Sequence, residues 1–250
     1  MMTCLADPRP RAVHRLRTTT RRIEGQLALL AMIPDLPMHN ALAKKIRGDL
    51  KKIRRAAGGV RDLDVQVDLI DSVRSASRTR SLHHDSSQLR SAIEAMRKDN
   101  ANRLQKLLRR YGVELAGRME HLLDTLQSAE SASLTPAEIT SRARDWFQKN
   151  TPAAPRGDSD DPDYLHAVRK TAKLARYISE NAPKNASDAR SLARSFEELQ
   201  EAGGEWHDWL VLAALADGQL GASSPLTKAL TRRCQLSLQA YKNRLSSRAA

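Results

Sequence analysis

An all-α fold follows from three observations on this chain of 250 residues. Apolar residues recur at helical spacing through most of the sequence, and no strand-like alternation is sustained anywhere. Aromatic residues make up only 4%, so Leu, Ala, Ile, Val and Met must build the core, which favours helix bundles over sandwiches. An apolar fraction of 40% is sufficient for that core, in one large domain or two smaller ones.

A first helix over residues 11–32 is closed by Pro34 and Pro37. A second, over 38–57, buries Leu42, Ile46, Leu50, Ile53 and Ala57, and Gly58-Gly59 predicts its C-terminal stop. A third over 62–77 buries Leu63, Val67, Ile70 and Val73, with a polar turn at 81–87 behind it. A long pattern then runs from Leu89 to Leu126, with a bend expected at Gly112 or Gly117. Thr135-Pro136-Ala137-Glu138 has the form of a capping box with Pro at the first helical position, opening a helix that ends at Asn150. Residues 150–161, rich in Pro, Gly and Asp, read as a linker. Asp161 before Pro162 caps a helix to 181, Ser187 opens one to 201, Asp208 another to 220, and Ser224-Pro225 the last, to 246.

Charge narrows the partners. The formal net charge is +13, and most of the excess lies in residues 1–60, which carry 13 Lys and Arg against 4 Asp and Glu. A solvated helix face interleaves both signs, so an unbalanced block points to a polyanion: nucleic acid, polyphosphate or an anionic membrane. The second helix concentrates the imbalance, with Lys44, Lys45, Arg47, Lys51, Lys52, Arg54 and Arg55 opposed only by Asp49. Like charges three or four residues apart destabilise a helix by roughly 0.2–0.5 kcal/mol per pair, so an offsetting ligand is expected there.

One motif occurs twice. His14, Arg17 and Arg21 sit at i, i+3 and i+7, as do His166, Arg169 and Lys173, which puts each trio on one helix face. Each is followed by a glycine, two residues and a basic-Asp pair: Gly58-Gly59-Val60-Arg61-Asp62 and Gly204-Glu205-Trp206-His207-Asp208. The chain reads as two copies of one basic helical unit.

These four segments, in this order, resemble the CHAD family, the conserved-histidine α-helical domain. The resemblance covers nearly the whole chain from Val13 onward. It implies a single domain over 1–250 made of two pseudo-symmetric four-helix halves, 11–130 and 135–248, around a basic cavity. It also implies inorganic polyphosphate as ligand, with no catalysis by the domain and association with polyphosphate granules. One departure is visible: a further helix is expected before the first His motif, and only Met1 to Arg11 precede it.

The candidate polyphosphate-binding residues are His14, Arg17, Arg21, Arg22, Lys51, Arg61, His166, Arg169, Lys170, Lys173, Arg176 and His207. Guanidinium forks suit phosphate oxygens bidentately, and Lys adds compact charge. Lys51 enters from the basic second helix, in the segment where the family also places basic residues. A lone His is more often a buried group bonded to a carbonyl; a repeated pair with matching cationic neighbours favours anion binding. Within their own helices the cations meet few carboxylates, Glu24 in the first and Glu180 in the second. Tyr177 reads as core or pocket wall, and Asp62 and Asp208 as helix N-caps or partners that orient a cation.

Competing readings are a nucleic-acid or nucleoid-binding protein and a metal-dependent phosphohydrolase. The first is weakened by low aromatic content and the lack of a recognisable reading motif. His207-Asp208 resembles the HD-type phosphohydrolases, yet the first copy has Arg61 where the second has His207, and Arg is not a metal ligand. No cofactor or metal is implied, and His39, His83, His84 and His121 fall outside the repeat. Cys4 and Cys234 lie at opposite ends and predict free thiols in a reducing cytoplasm. With no apolar signal-like segment and no long apolar run, a cytoplasmic protein without membrane association is expected.

Overall fold

The structure is a computed structural model and describes residues 1–33, 36, 40–127, 134–154 and 161–249. Among them are eight helices and no strand: α1 (Met2–Ala6), α2 (Pro10–Leu30), α3 (Asn40–Ser75), α4 (Arg80–Gln127), α5 (Pro136–Asn150), α6 (Pro162–Ser179), α7 (Ser187–Leu220) and α8 (Pro225–Ala249). The all-α expectation holds. Pro34, Pro37 and the start expected at Met38 lie outside the described residues, as does half of the linker, 155–160.

Helix starts written in side-chain chemistry form as the sequence predicts. Thr135 accepts from the Glu138 backbone N–H while the Glu138 carboxylate accepts from the Thr135 N–H at 2.8 Å, completing the capping box. Asp161 accepts from the Asp163 N–H at 2.9 Å, with Pro162 in the first turn. Ser224 Oγ accepts from Leu226 and Thr227 and donates to the Asp85 carboxylate at 2.6 Å, tying α8 to α4. That last contact helps explain a difference: residues 81–87 are not a turn but the first turns of α4, with Leu82 and Ser86 buried.

Two expected helix breaks are absent. Gly58-Gly59 lies inside α3 and Gly203-Gly204 inside α7, so helices predicted as 38–57 and 62–77, and as 187–201 and 208–220, are each one continuous rod. Asp62 and Asp208 are therefore mid-helix and cap nothing. Interior glycine costs a helix about 0.8–1.0 kcal/mol relative to Ala, and at two of these positions a neighbour explains its use. A Cβ on Gly203 would stand 2.7 Å from the Tyr241 ring, and one on Gly59 3.3 Å from Asn100 Nδ2, whose amide donates to the Gly59 carbonyl. The glycines let another helix come close instead of ending their own. Nor does α4 stop at Gly112 or Gly117; it is a single helix of 48 residues.

The repeat organises the packing. α2 pairs with α3 and α3 with α4; α6 pairs with α7 and α7 with α8; and α2 also packs on α6, α3 on α7 and α4 on α8. The three long helices of each repeat thus meet their own counterparts. At the α2–α6 crossing Gly25 faces its equivalent, Tyr177, so closely that a Cβ would lie 2.8 Å from the Tyr177 backbone. Apolar clusters fill each side: one centred on Ile46, Leu50, Ile53, Leu104 and Leu115, another on Val168, Phe196, Leu199, Trp206 and Tyr241. Two further clusters cross between them, joining Ile70, Leu89 and Ile93 to Trp209 and Leu212, and Ala28 and Leu29 to Ile139 and Ile178. Ahead of the first His motif stands the five-residue α1, whose Leu5 carbonyl accepts from Gln105 of α4 at 3.0 Å.

Candidate functional site

The α2–α6 crossing brings the two cationic faces together. α2 runs antiparallel to α3, held by Arg17 to Asp62 at 2.9 Å, Arg54 to Glu24 at 2.7 Å and the Arg47 guanidinium donating to the Leu27 carbonyl at 3.0 Å. In the second repeat Arg176 of α6 reaches Glu197 of α7 at 2.7 Å, while its other side pairs with Glu180 at 2.7 Å. The buried Tyr241 hydroxyl donates to the Leu165 carbonyl at 3.0 Å and so fixes the start of α6 beside His166.

Between these helices lies a cavity of about 740 Å³, within the range of small-ligand sites. α2 contributes His14, Arg17, Thr18, Arg21 and Arg22; α3 contributes Arg61, Asp62, Val65 and Leu69; α6 contributes Arg169, Lys173, Arg176 and Tyr177. The α7 wall is Glu197, Gln200, Glu201, Gly204, Glu205, His207 and Asp208. Of the sequence candidates, His14, Arg17, Arg21, Arg22, Arg61, Arg169, Lys173, Arg176 and His207 meet here. Lys51, His166 and Lys170 are not among the lining side chains: Lys51 and Lys170 are exposed on α3 and α6. Tyr177, buried, forms wall, with the Arg176 guanidinium 5.5 Å from its ring centre.

His166 stacks on His207, ring centres 5.1 Å apart, and its Nδ1 faces the Arg169 guanidinium at 3.4 Å. Burial first, then Arg169, Lys170 and His207, push its pKa down to about 4. So lowered, the ring is uncharged near neutral pH, with Nδ1 as acceptor for Arg169. His207 does line the cavity; its buried Nδ1 has no hydrogen-bond partner and stands 3.7 Å from the Asp208 carboxylate.

The central cations repel one another. Lys173 is held well below its ordinary pKa by burial and then by Arg21, Arg169 and Arg17, with Asp208 opposing. Arg21 is lowered to about 10 by burial, then by Arg54, with Glu24 partly offsetting and Arg17 adding to the shift. Arg169 is lowered too, by burial first. Neither Arg21 nor Lys173 has an ion pair among the described residues.

The sequence reading missed the acidic wall. Glu197, Glu201 and Glu205 stand four residues apart, one turn each, and run into Asp208 on the same α7 face. Extending the repeat register back from Gly58 and Gly204 reveals them, because it sets Lys51 opposite Glu197 and Arg55 opposite Glu201. Carboxylates for the cations come from α3 and α7 rather than from α2 and α6 alone, and Asp62 acts as the partner of Arg17.

Elsewhere, His83 Nε2 contacts the Ser77 carbonyl at 2.7 Å, and His39 lies outside the described residues. Cys4 and Cys234 are free, and burial raises both thiols. Among the described residues no three His, Cys, Asp or Glu side chains come together as a metal site would need. No described helix is long and apolar enough to cross a membrane.

Fold and site together define a helical protein with a repeated cationic motif converging on one cavity. The CHAD domain model matches residues 3–217, and the chain belongs to that family. No curated protein and no solved structure matches it.

Proposed function

We propose that this protein binds inorganic polyphosphate in the cavity without transforming it, as one unit built from the halves 11–130 and 135–248, and that binding carries it to polyphosphate granules. The observation that supports this reading is the cluster of Arg17, Arg21, Arg169 and Lys173. Equivalent positions of two helices converge there; burial and mutual repulsion depress Lys173 and Arg21, and burial depresses Arg169. A polyanion relieves that repulsion through several charge-assisted hydrogen bonds at once. A flexible linear chain fits a concave site that excludes a stiff duplex.

Calorimetric titration with long-chain polyphosphate and with duplex DNA, at matched phosphate concentration and salt, tests the reading. Polyphosphate should bind tighter, with affinity falling steeply as salt rises. Equal or tighter binding of DNA overturns it. Incubation with polyphosphate and divalent cations should release no phosphate, whereas steady release would make the protein an enzyme.

A further inference from the structure

The groove between α2 and α7 is part of the cavity wall, with Arg22 and Thr18 on one side and Glu197, Glu201 and Glu205 on the other. The repeat register makes Leu174 and Lys170 on α6, and Lys51, Arg55 and Gly59 on α3, the equivalents of these residues, and the α3 positions carry the opposite charge to those on α7. Lys51, Arg55 and Lys170 are exposed and have no ion pair among the described residues, while Arg54 between them is held by Glu24 at 2.7 Å. One α3 face then continues through Gly48 to the exposed Lys44. A polyanion leaving the cavity therefore meets Glu201 and Glu205, beside the Glu197 that Arg176 holds, in one direction and a cationic track in the other. Like-charge juxtaposition is a strong selector against the wrong path.

Resting on the polyphosphate reading above, we propose that the chain enters the cavity end-first and leaves only over the α3 face, guided by Lys170, Arg55 and Lys51, with the α7 carboxylates closing the opposite groove. The protein is then a reader of chain ends, and each linear chain offers two of them whatever its length.

The test uses the whole protein, wild type and K51E/R55E, titrated with triphosphate and with a medium and a long polyphosphate. Lys51 and Arg55 are exposed and have no hydrogen bond or ion pair among the described residues, so circular dichroism should be unchanged. K51E/R55E should lose about tenfold or more in long-chain affinity, because avidity along the track is removed, while triphosphate, which only fills the cavity, binds as before. Sedimentation of wild-type complexes should saturate at two proteins per chain for both polymer lengths. Unchanged long-chain affinity in K51E/R55E, or a stoichiometry that grows with polymer length, overturns the one-sided exit. Failure of the wild type to bind any polyphosphate overturns the underlying reading instead.

Discussion

The α2–α3 pair and the α6–α7 pair share helix directions, a glycine and a His-cation face, yet the ion pair made at the equivalent positions Glu24 and Arg176 is reversed. In the first repeat the acid is on the cavity helix, Glu24, and the base on its neighbour, Arg54; in the second the base, Arg176, is on the cavity helix and the acid, Glu197, on its neighbour. Either polarity holds the helices together, so the fold tolerates both. What differs is the surface left over: α3 keeps an excess of cations and α7 an excess of carboxylates. Burial fixes the repeated core, whereas charge on a half-exposed face is free to diverge toward a ligand.

The largest expected effect comes from reversing equivalent cavity cations one at a time. R21E and K173E should each weaken long-chain polyphosphate binding by about two orders of magnitude, since a charge-assisted contact is worth about 1.5–3 kcal/mol and reversal adds repulsion. Titration calorimetry reads both. If only one substitution matters, the two repeats do not share a ligand and the comparison collapses to a single site.

Next in size is the crossing point. G25A must push α2 off the Tyr177 backbone, which no rotamer change relieves, and should cost about 1–3 kcal/mol in denaturant unfolding. G48A, also inside a helix but facing open space, should instead stabilise by about 0.5–1 kcal/mol. Equal effects at both positions would mean the close approach is not what selects Gly25.

A smaller, pH-dependent effect separates the two motif histidines. His14 is exposed at the cavity, whereas His166 is stacked beneath it with a pKa of about 4. The unfolded chain binds a proton on this ring at about 6.5, the folded protein not until about 4. Stability is therefore complete above the unfolded value and drains as pH falls from about 6.5 toward 4. Thermal unfolding of H166Q should show a shallower decline between pH 6.5 and 5 than the wild type, and an identical slope would remove His166 from the account.

These differences also show what the sequence could reveal. Thr135, Asp161 and Ser224 mark helix starts because a cap is local chemistry, complete within four residues. Gly58-Gly59 misled because Asn100, the partner that justifies Gly59, is distant in sequence, as Tyr241 is from Gly203. The same limit applied to the site. The repeat exposed the cations of α2 and α6, but the burial that silences His166 and the α7 carboxylates that face Arg22 depend on packing that spacing alone does not express.

If the cavity holds cations for a ligand at the expense of the fold's own stability, Lys173→Met shows it most directly. Methionine keeps the length of the side chain and removes a charge crowded by Arg21, Arg169 and Arg17. Unfolding and polyphosphate titration on the same preparation should show a gain in stability, on the order of 0.5–2 kcal/mol as for other relieved functional sites, together with weaker binding. A destabilised protein, or one that binds polyphosphate as tightly as the wild type, would contradict the account.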